Sequence, residues 1–157
     1  MRISAPCLFF LYAHPCGEVL VRKGKMTGAQ LDSIRRSLLH RKLPRQPPAL
    51  FRTAMKQLQL TAAAMRHKSI GSAVIRQYFW HGHDRLAGND CRCRIMPAKV
   101  VEAAGGCAAV STPAGVRNVN ILLAGKVKPG DLLTVHYDYA CEKISRQDFA
   151  RLWRMKR

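Results

Sequence analysis

Apolar residues recur at three- and four-residue steps between positions 27 and 68, which is the spacing of one face of an α-helix. Thr27 and Gln30 have the form of a capping box at the start of this region, and Pro44 stops the first run. Pro48 is placed to begin a second run. The pattern therefore predicts a helical hairpin over residues 27–68. The apolar positions are Leu31, Ile34, Leu38 and Leu39 in the first run, and Leu50, Phe51, Ala54, Met55, Leu58, Ala62 and Met65 in the second.

Residues 69–90 lose this period and contain the stretch YFWHGHDRLAGND, which is rich in aromatic, histidine and turn-forming residues. Such a composition predicts a linker or an irregular loop. Upstream, the run from Ala5 to Ala13 is apolar and has a faint likeness to a signal peptide, without a clear cleavage site. A run of this length is too short to span a bilayer.

Beyond residue 91 the pattern changes to short β-branched runs separated by turns that contain Gly or Pro. Short strands at this spacing predict a small barrel. A closing helix follows Ser145, and its apolar face would cover one end of that barrel. The predicted strands are Ile95–Glu102, Cys107–Ser111, Val116–Leu123 and Leu132–Tyr139, and the helix face is Phe149, Leu152 and Trp153.

The change of pattern divides the chain into two regions. Residues 1–90 form a basic N-terminal extension that is helical or disordered, and residues 91–157 form the barrel and its helix. Three accounts of residues 1–92 fit the sequence: a fused helical domain, a removable extension, or translated sequence upstream of a real start.

The charge balance is strongly basic, with 27 Lys and Arg against 9 Asp and Glu, a formal net charge of +18. Such a chain attracts phosphates, anionic lipid or an acidic protein partner, and charge alone does not choose among them. The six cysteines lack the regular spacing of a disulfide framework and contain no paired CxxC signature. This favours a reducing compartment, and we predict a cytoplasmic location.

Cys93 and His136 are the two residues of the barrel region whose chemistry stands out. A thiolate and an imidazole from separate strands suit iron, zinc or nickel, and two ligands leave positions for exogenous groups. The alternative is that each is an ordinary buried residue. A second hypothesis takes ligands from HGHD and CRC and predicts a tetrahedral zinc site of His81, His83, Cys91 and Cys93.

Three stretches in order resemble the HupF/HypC family of nickel-iron hydrogenase maturation chaperones: CRIMPAKVVE, GVRNVNILL and VKPGDLLTVHYDYACEKIS. The resemblance spans residues 93–157. It implies a mainly β fold, a small OB-like β-barrel with a C-terminal α-helix, and a scaffold or carrier rather than an enzyme. It also implies a HypD-type partner, a hydrogenase large-subunit precursor as recipient, and a transient iron cargo with cyanide and carbonyl ligands. No permanent cofactor and no membrane association are expected.

The resemblance assigns roles residue by residue. Cys93 falls on the family's N-terminal cysteine and His136 on its strand histidine, so both inherit the role of iron ligand. Ile95 and Pro97 join these two as predicted partner-binding residues. The residues expected to be structural are Arg117, Gly130, Phe149 and Trp153.

The chain departs from the family pattern around both candidate ligands. In the family the cysteine becomes the first residue, whereas here Arg92 precedes Cys93 and the amino group is held in a peptide bond. Tyr137 replaces a smaller residue, and Asp138 replaces a glycine. These changes alter the neighbourhood of the thiol and of His136.

Two other functions compete with the chaperone hypothesis. A basic OB-like barrel can bind nucleic acid, but this function needs aromatic stacking residues, and the strands offer only Tyr137 and Tyr139. Nucleic acid is therefore not the expected partner. An enzyme is disfavoured because the chain has no P-loop, GxSxG or HExxH motif and no evident pair of catalytic carboxylates.

Overall fold

The computed structural model describes residues 3–157 and divides into two compact units, with the boundary between Gly82 and His83. The first unit is helical. Its helices are α1 (Ala5–Ala13), α2 (Gly17–Arg22), α3 (Gly28–Leu39), α4 (Arg52–Ala64) and α5 (Ser72–Gln77), and a π-helical turn (Tyr78–Gly82) follows α5. Short 3-10 turns occupy His14–Cys16 and Pro48–Leu50.

Helix α3 begins as its capping box predicts. The Gln30 backbone N–H donates to Thr27 Oγ1 at 3.1 Å, and the Thr27 backbone N–H donates to Gln30 Oε1 at 2.9 Å. These bonds satisfy two donors that a helix N-terminus otherwise leaves without intrahelical partners. Both helices expected within residues 27–68 are present, but α3 packs chiefly on α1 and α2, whereas α4 packs chiefly on α5.

An aromatic cluster forms the centre of this unit. The rings of Tyr12 and Phe79 stack with centroids 5.1 Å apart, and the indole N–H of Trp80 donates to the Tyr12 hydroxyl at 2.8 Å. A buried indole and phenol that satisfy each other avoid the desolvation cost of an unbonded polar group. Phe9, Phe10, Phe51 and Tyr78 complete the cluster.

One sequence prediction for this region is wrong. Much of residues 69–90 is helical rather than an irregular loop, because its aromatic side chains fill the core instead of facing solvent. The apolar run of α1 is also a core element, with every residue from Leu8 to Ala13 buried. Within residues 3–157, no helix combines the length and apolar character that a membrane crossing requires.

The second unit is a closed five-stranded barrel, with one helix before the first strand and one helix after the last strand in the sequence. It contains α6 (Asp84–Ala87), β1 (Met96–Ala104), β2 (Cys107–Thr112), β3 (Gly115–Asn120), β4 (Leu132–His136), β5 (Tyr139–Lys143) and α7 (Arg146–Lys156). The strands follow the order β1–β2–β3–β5–β4, and β4 pairs with β1 to close the barrel. The β3–β5 pair is parallel and the others are antiparallel. The predicted small barrel with a C-terminal helix is confirmed.

The barrel has five strands where the sequence predicted four. The run Leu132–Tyr139 is broken at Tyr137 and Asp138, where the chain turns and β5 begins. Tyr137 takes a φ of +51°, a left-handed conformation that is rare outside glycine. The third strand also ends earlier than predicted, at Asn120, and a 3-10 turn over Leu122–Ala124 follows it.

The barrel interior is filled by small and β-branched side chains that alternate along the strands. Helix α7 packs on β1 and β4, and its Leu152 is fully buried. The Ser145 hydroxyl caps this helix by accepting from the Asp148 backbone N–H at 3.0 Å. The interior residues are Met96, Ala98, Val100, Ala108, Val110, Val119, Ile121, Leu133, Val135 and Ala140.

Candidate metal centre

The antiparallel pairing of β1 and β4 brings Cys93 next to His136. Met96 pairs with Val135 at the start of β1 and near the end of β4. In an antiparallel pair, the residues that precede Met96 therefore lie beside the residues that follow Val135. As a result the Cys93 Sγ lies 3.6 Å from the His136 Nε2. The two residues that the family resemblance selects thus meet at one end of the barrel.

His83 is a third potential ligand at the same place. Its Nε2 lies 3.8 Å from the Cys93 Sγ, and its ring meets the His136 ring edge-on, with centroids 4.8 Å apart and planes at 81°. The ligand atoms of the three residues all lie within 4.8 Å of one another. All three side chains are buried, with relative exposures of 0% for His136, 6% for His83 and 9% for Cys93.

Asp84 fixes the position of the chain next to His83. Its carboxylate accepts from the Ile95 backbone N–H at 3.3 Å, which ties α6 to the entry of β1. The same carboxylate forms an ion pair with Lys156 at the end of α7, whose side chain is only 6% exposed. His83, which precedes α6, is therefore attached both to the barrel strand and to the closing helix.

Residues 90–92 are bonded to the turn that follows His136. The Arg92 carbonyl accepts from the Tyr137 backbone N–H at 2.9 Å, and the Tyr137 hydroxyl donates to the Asp90 carboxylate at 2.8 Å. Arg92 also forms an ion pair with Asp138. The hydrogen bond and the charge of Asp138 raise the pKa of Arg92, so the guanidinium stays charged. The three residues that depart from the family pattern therefore contact one another.

Arg117 supports this turn from the barrel side. Its guanidinium donates to the Tyr137 carbonyl at 2.7 Å. Burial lowers the pKa of Arg117, because desolvation disfavours its charged form. An arginine pKa remains high enough for the group to be charged at neutral pH. Arg117 is thus bonded to the backbone of the residue that follows His136.

The other residues singled out from the sequence fall into two groups. Ile95 and Pro97, which were predicted to bind a partner, are buried, as Cys93 and His136 are. Of the expected structural residues, Gly130 has a φ of +88°, and Phe149 and Trp153 pack together with ring centroids 5.2 Å apart.

The hypothesis of a zinc site from His81, His83, Cys91 and Cys93 finds only partial support. His83 and Cys93 do lie together, but Cys91 is exposed and His81 belongs to the first unit. The third partner in the second unit is instead His136. Sequence adjacency favoured the wrong neighbours, because the pairing of β1 and β4 is not visible in a local stretch.

The Tyr137 ring is packed on another side chain of the unit and is not an open stacking surface for nucleic acid. The Tyr137 ring stacks on the His136 ring with centroids 5.1 Å apart, and its hydroxyl is bonded to Asp90. Base stacking requires an aromatic face that is open to the strand. Tyr137 is therefore part of the metal-centre surroundings rather than a platform for bases.

The barrel, its closing helix and the buried Cys93–His136 pair all fall within one segment that matches a known family. Residues 93–155 match the HupF/HypC family model. The HupF/HypC match begins at Cys93 itself and ends near the end of α7. It covers about two fifths of the chain and leaves the first unit, α6 and residues 90–92 outside. A search of curated proteins finds no relative that matches the chain.

The HupF/HypC family consists of hydrogenase maturation chaperones, so the match implies a role of this kind for the barrel. A chaperone family is not a family of catalysts. The recognition made from three short stretches of sequence is confirmed. His83, Asp84, Asp90 and Arg92 all lie upstream of the matched segment.

Proposed function

We propose that this chain is a nickel-iron hydrogenase maturation chaperone that carries an iron centre with cyanide and carbonyl ligands. It does so with a HypD-type partner, in the cytoplasm, and delivers the centre to the precursor of the hydrogenase large subunit. The observation that carries the proposal is the 3.6 Å approach of the Cys93 Sγ to the His136 Nε2 inside the segment that matches HupF/HypC.

The chemistry of the pair suits a cargo rather than a permanent structural metal. Thiolate and imidazole are soft and borderline ligands that bind iron, and two of them leave most coordination positions for exogenous ligands. Structural zinc sites, in contrast, close all four positions with protein groups. Iron here is substrate, received from one protein and passed to another.

Burial of the pair has a consequence for transfer. Because Cys93 and His136 are covered, a partner cannot reach the metal without displacing something. The contacts of residues 90–92 with the 137–138 turn are candidates for displacement, since the side chains of Arg92 and Asp138 are both more than half exposed. Exposed ion pairs contribute little to stability, about 0–1 kcal/mol. Loading and delivery then involve release of this segment.

The proposal is tested by co-purification of the tagged full chain with a HypD-type protein and a hydrogenase large-subunit precursor. Infrared spectroscopy of the purified complexes detects the cyanide and carbonyl stretching bands. Wild type is expected to retain a partner and the bands, and Cys93→Ala to lose the bands. Cys91→Ala is the matched control, because this thiol is exposed and lies two residues away.

A shortened chain that begins Met-Cys93 separates the accounts of the upstream region. Partner binding and bands in the full chain show that residues 1–92 are compatible with function. The same signals in the shortened chain alone show that these residues must be removed. If neither chain binds a partner or shows the bands, the proposed function is wrong.

A further inference from the structure

We infer that His83 is a third metal ligand, so that the second unit binds a divalent first-row transition ion through His83, Cys93 and His136. The identity of the physiological cargo rests on the proposed function, whereas the ligand set does not. His83 lies ten residues before the start of the family match. The chain therefore adds a ligand to the family segment from its own upstream sequence.

The distances fit a shared metal ion. A tetrahedral ion with bonds of about 2.3 Å to sulfur and about 2.0–2.1 Å to nitrogen holds these ligand atoms about 3.6 Å apart. The Cys93 Sγ lies 3.6 Å from the His136 Nε2 and 3.8 Å from the His83 Nε2. Both sulfur–nitrogen distances are therefore within about 0.2 Å of the separation that a shared tetrahedral ion imposes.

The surroundings favour an ion over two hydrogen bonds to sulfur. A thiol sulfur is a weak hydrogen-bonding partner of an imidazole, whereas a thiolate is a strong ligand of transition ions. A metal ion satisfies all three groups at once and stabilises the thiolate form of Cys93. Imidazole and thiolate together select zinc, ferrous, cobalt or nickel ions over magnesium and calcium.

The placement of His83 is supported by bonds outside the ligand set. Asp84 ties the adjacent backbone to Ile95 and to Lys156. Groups that fix the orientation of a ligand typically change metal affinity by about 10- to 100-fold when they are removed. Asp84 is therefore a positioning residue, and His83 is the ligand that it positions.

The experiment is an anaerobic titration of the metal-free full chain with Co²⁺, followed by optical spectroscopy and by competition with Zn²⁺. A thiolate bound to Co²⁺ gives a charge-transfer band in the near ultraviolet, and a tetrahedral site gives intense visible bands. Wild type is expected to bind one equivalent with both features. Cys93→Ser should lose the charge-transfer band, and the exposed Cys91→Ser should retain it.

His83 is tested with His83→Ala and His83→Gln, and the exposed His67→Ala is the matched control. Both His83 variants are expected to bind Co²⁺ at least about tenfold more weakly, which is the smallest effect expected from losing a supporting contact. His67→Ala should bind as wild type. The affinity is compared only for a His83 variant that keeps the far-ultraviolet circular dichroism spectrum of wild type. A folding defect is then not mistaken for the loss of a ligand.

Two results overturn the inference. Wild-type affinity in a folded His83 variant shows that His83 is not a ligand, and absence of the charge-transfer band in wild type shows that the contacts are hydrogen bonds. Neither result depends on a partner protein. Metal binding that requires His83 in a chain that recruits no HypD-type protein would refute the proposed function and leave this inference standing.

Discussion

Replacing Tyr137 by Phe and Asp138 by Asn together tests whether residues 90–92 limit access to the Cys93 thiol. The first change removes the 2.8 Å hydrogen bond from the Tyr137 hydroxyl to the Asp90 carboxylate. The second removes the charge that pairs with Arg92. Both changes leave the Arg92 carbonyl bonded to the Tyr137 backbone N–H, so the turn itself is kept.

The size of the effect follows from the exposure of these groups. A hydrogen bond contributes about 0.5–1.5 kcal/mol to stability, and an exposed ion pair contributes about 0.2–1 kcal/mol. Together they hold the segment closed by about 1–2 kcal/mol, which corresponds to about a 5- to 30-fold change in the equilibrium between closed and open states. Each single variant should give a part of this change.

The assay is alkylation of Cys93 in the metal-free full chain, measured by peptide mass spectrometry in a Cys91→Ser background. When closing is faster than alkylation, the rate of modification follows the population of the open state. The exposed Cys107 reports the intrinsic reactivity of a thiol in the same sample. We expect the rate at Cys93 to rise by about 5- to 30-fold relative to Cys107.

An unchanged ratio of the two alkylation rates in the double variant would refute the reasoning. It would mean that residues 90–92 are bonded to the turn without controlling the thiol. The role assigned to this segment in loading and delivery would then have to be given up, although the ligand role of Cys93 would be unaffected.

Three further predictions concern the barrel and are checked by denaturant or thermal unfolding. Leu152→Ala should lower the free energy of unfolding by about 2–5 kcal/mol because the side chain is fully buried, whereas the exposed Met155→Ala should change it by no more than about 0.5 kcal/mol. Equal effects of these two variants would contradict the packing of α7. Gly130→Ala should cost about 1–2 kcal/mol from backbone strain alone, since φ is +88° and a Cβ would meet no atom within 4 Å; an unchanged midpoint would argue against this conformation. Lys143 lowers the pKa of Asp131 through an ion pair at 2.7 Å. The stability that Asp131 contributes is therefore present above about pH 4 and is lost as the pH falls through its lower folded pKa, so wild type and Asp131→Asn should converge in stability at acid pH and diverge at neutral pH. A difference that stays constant across this range would show that the ion pair does not act on stability.

Local signals in the sequence predicted the elements that depend on local bonds. Thr27 with Gln30 marked the start of α3, and Ser145 marked the start of α7, because each cap satisfies backbone donors within three residues. Short β-branched runs separated by turns likewise indicated the barrel strands. These features need no knowledge of distant parts of the chain.

The division between β4 and β5 could not be predicted in this way. The turn at Tyr137 and Asp138 contains neither Gly nor Pro, and Asp138 is its single turn-favouring residue. It is held instead by bonds from residues far away in sequence, the Arg117 guanidinium and the Arg92 carbonyl. The left-handed conformation of Tyr137 depends on these tertiary contacts. The local sequence does not show them, and it therefore resembles one continuous strand.

The candidate metal centre was predictable only in part for the same reason. The family resemblance selected Cys93 and His136. His83 was named only in the alternative zinc hypothesis, which combined it with His81, Cys91 and Cys93. Only the register of β1 against β4 shows that His136 lies beside Cys93 and His83. This strand pairing is a contact between distant parts of the chain, and it alone is enough to place Cys93 beside His136.

The two tryptophans of the chain lie in different units, and this gives each unit its own fluorescent reporter. Trp80 is buried and bonded to Tyr12 in the helical unit, whereas Trp153 is partly exposed beside Phe149 on α7. With Trp153→Phe, emission follows the helical unit alone, and with Trp80→Phe it follows the barrel alone. Coincident transitions would show that the helical unit and the barrel unit unfold as one cooperative body, and separate transitions would give each its own stability.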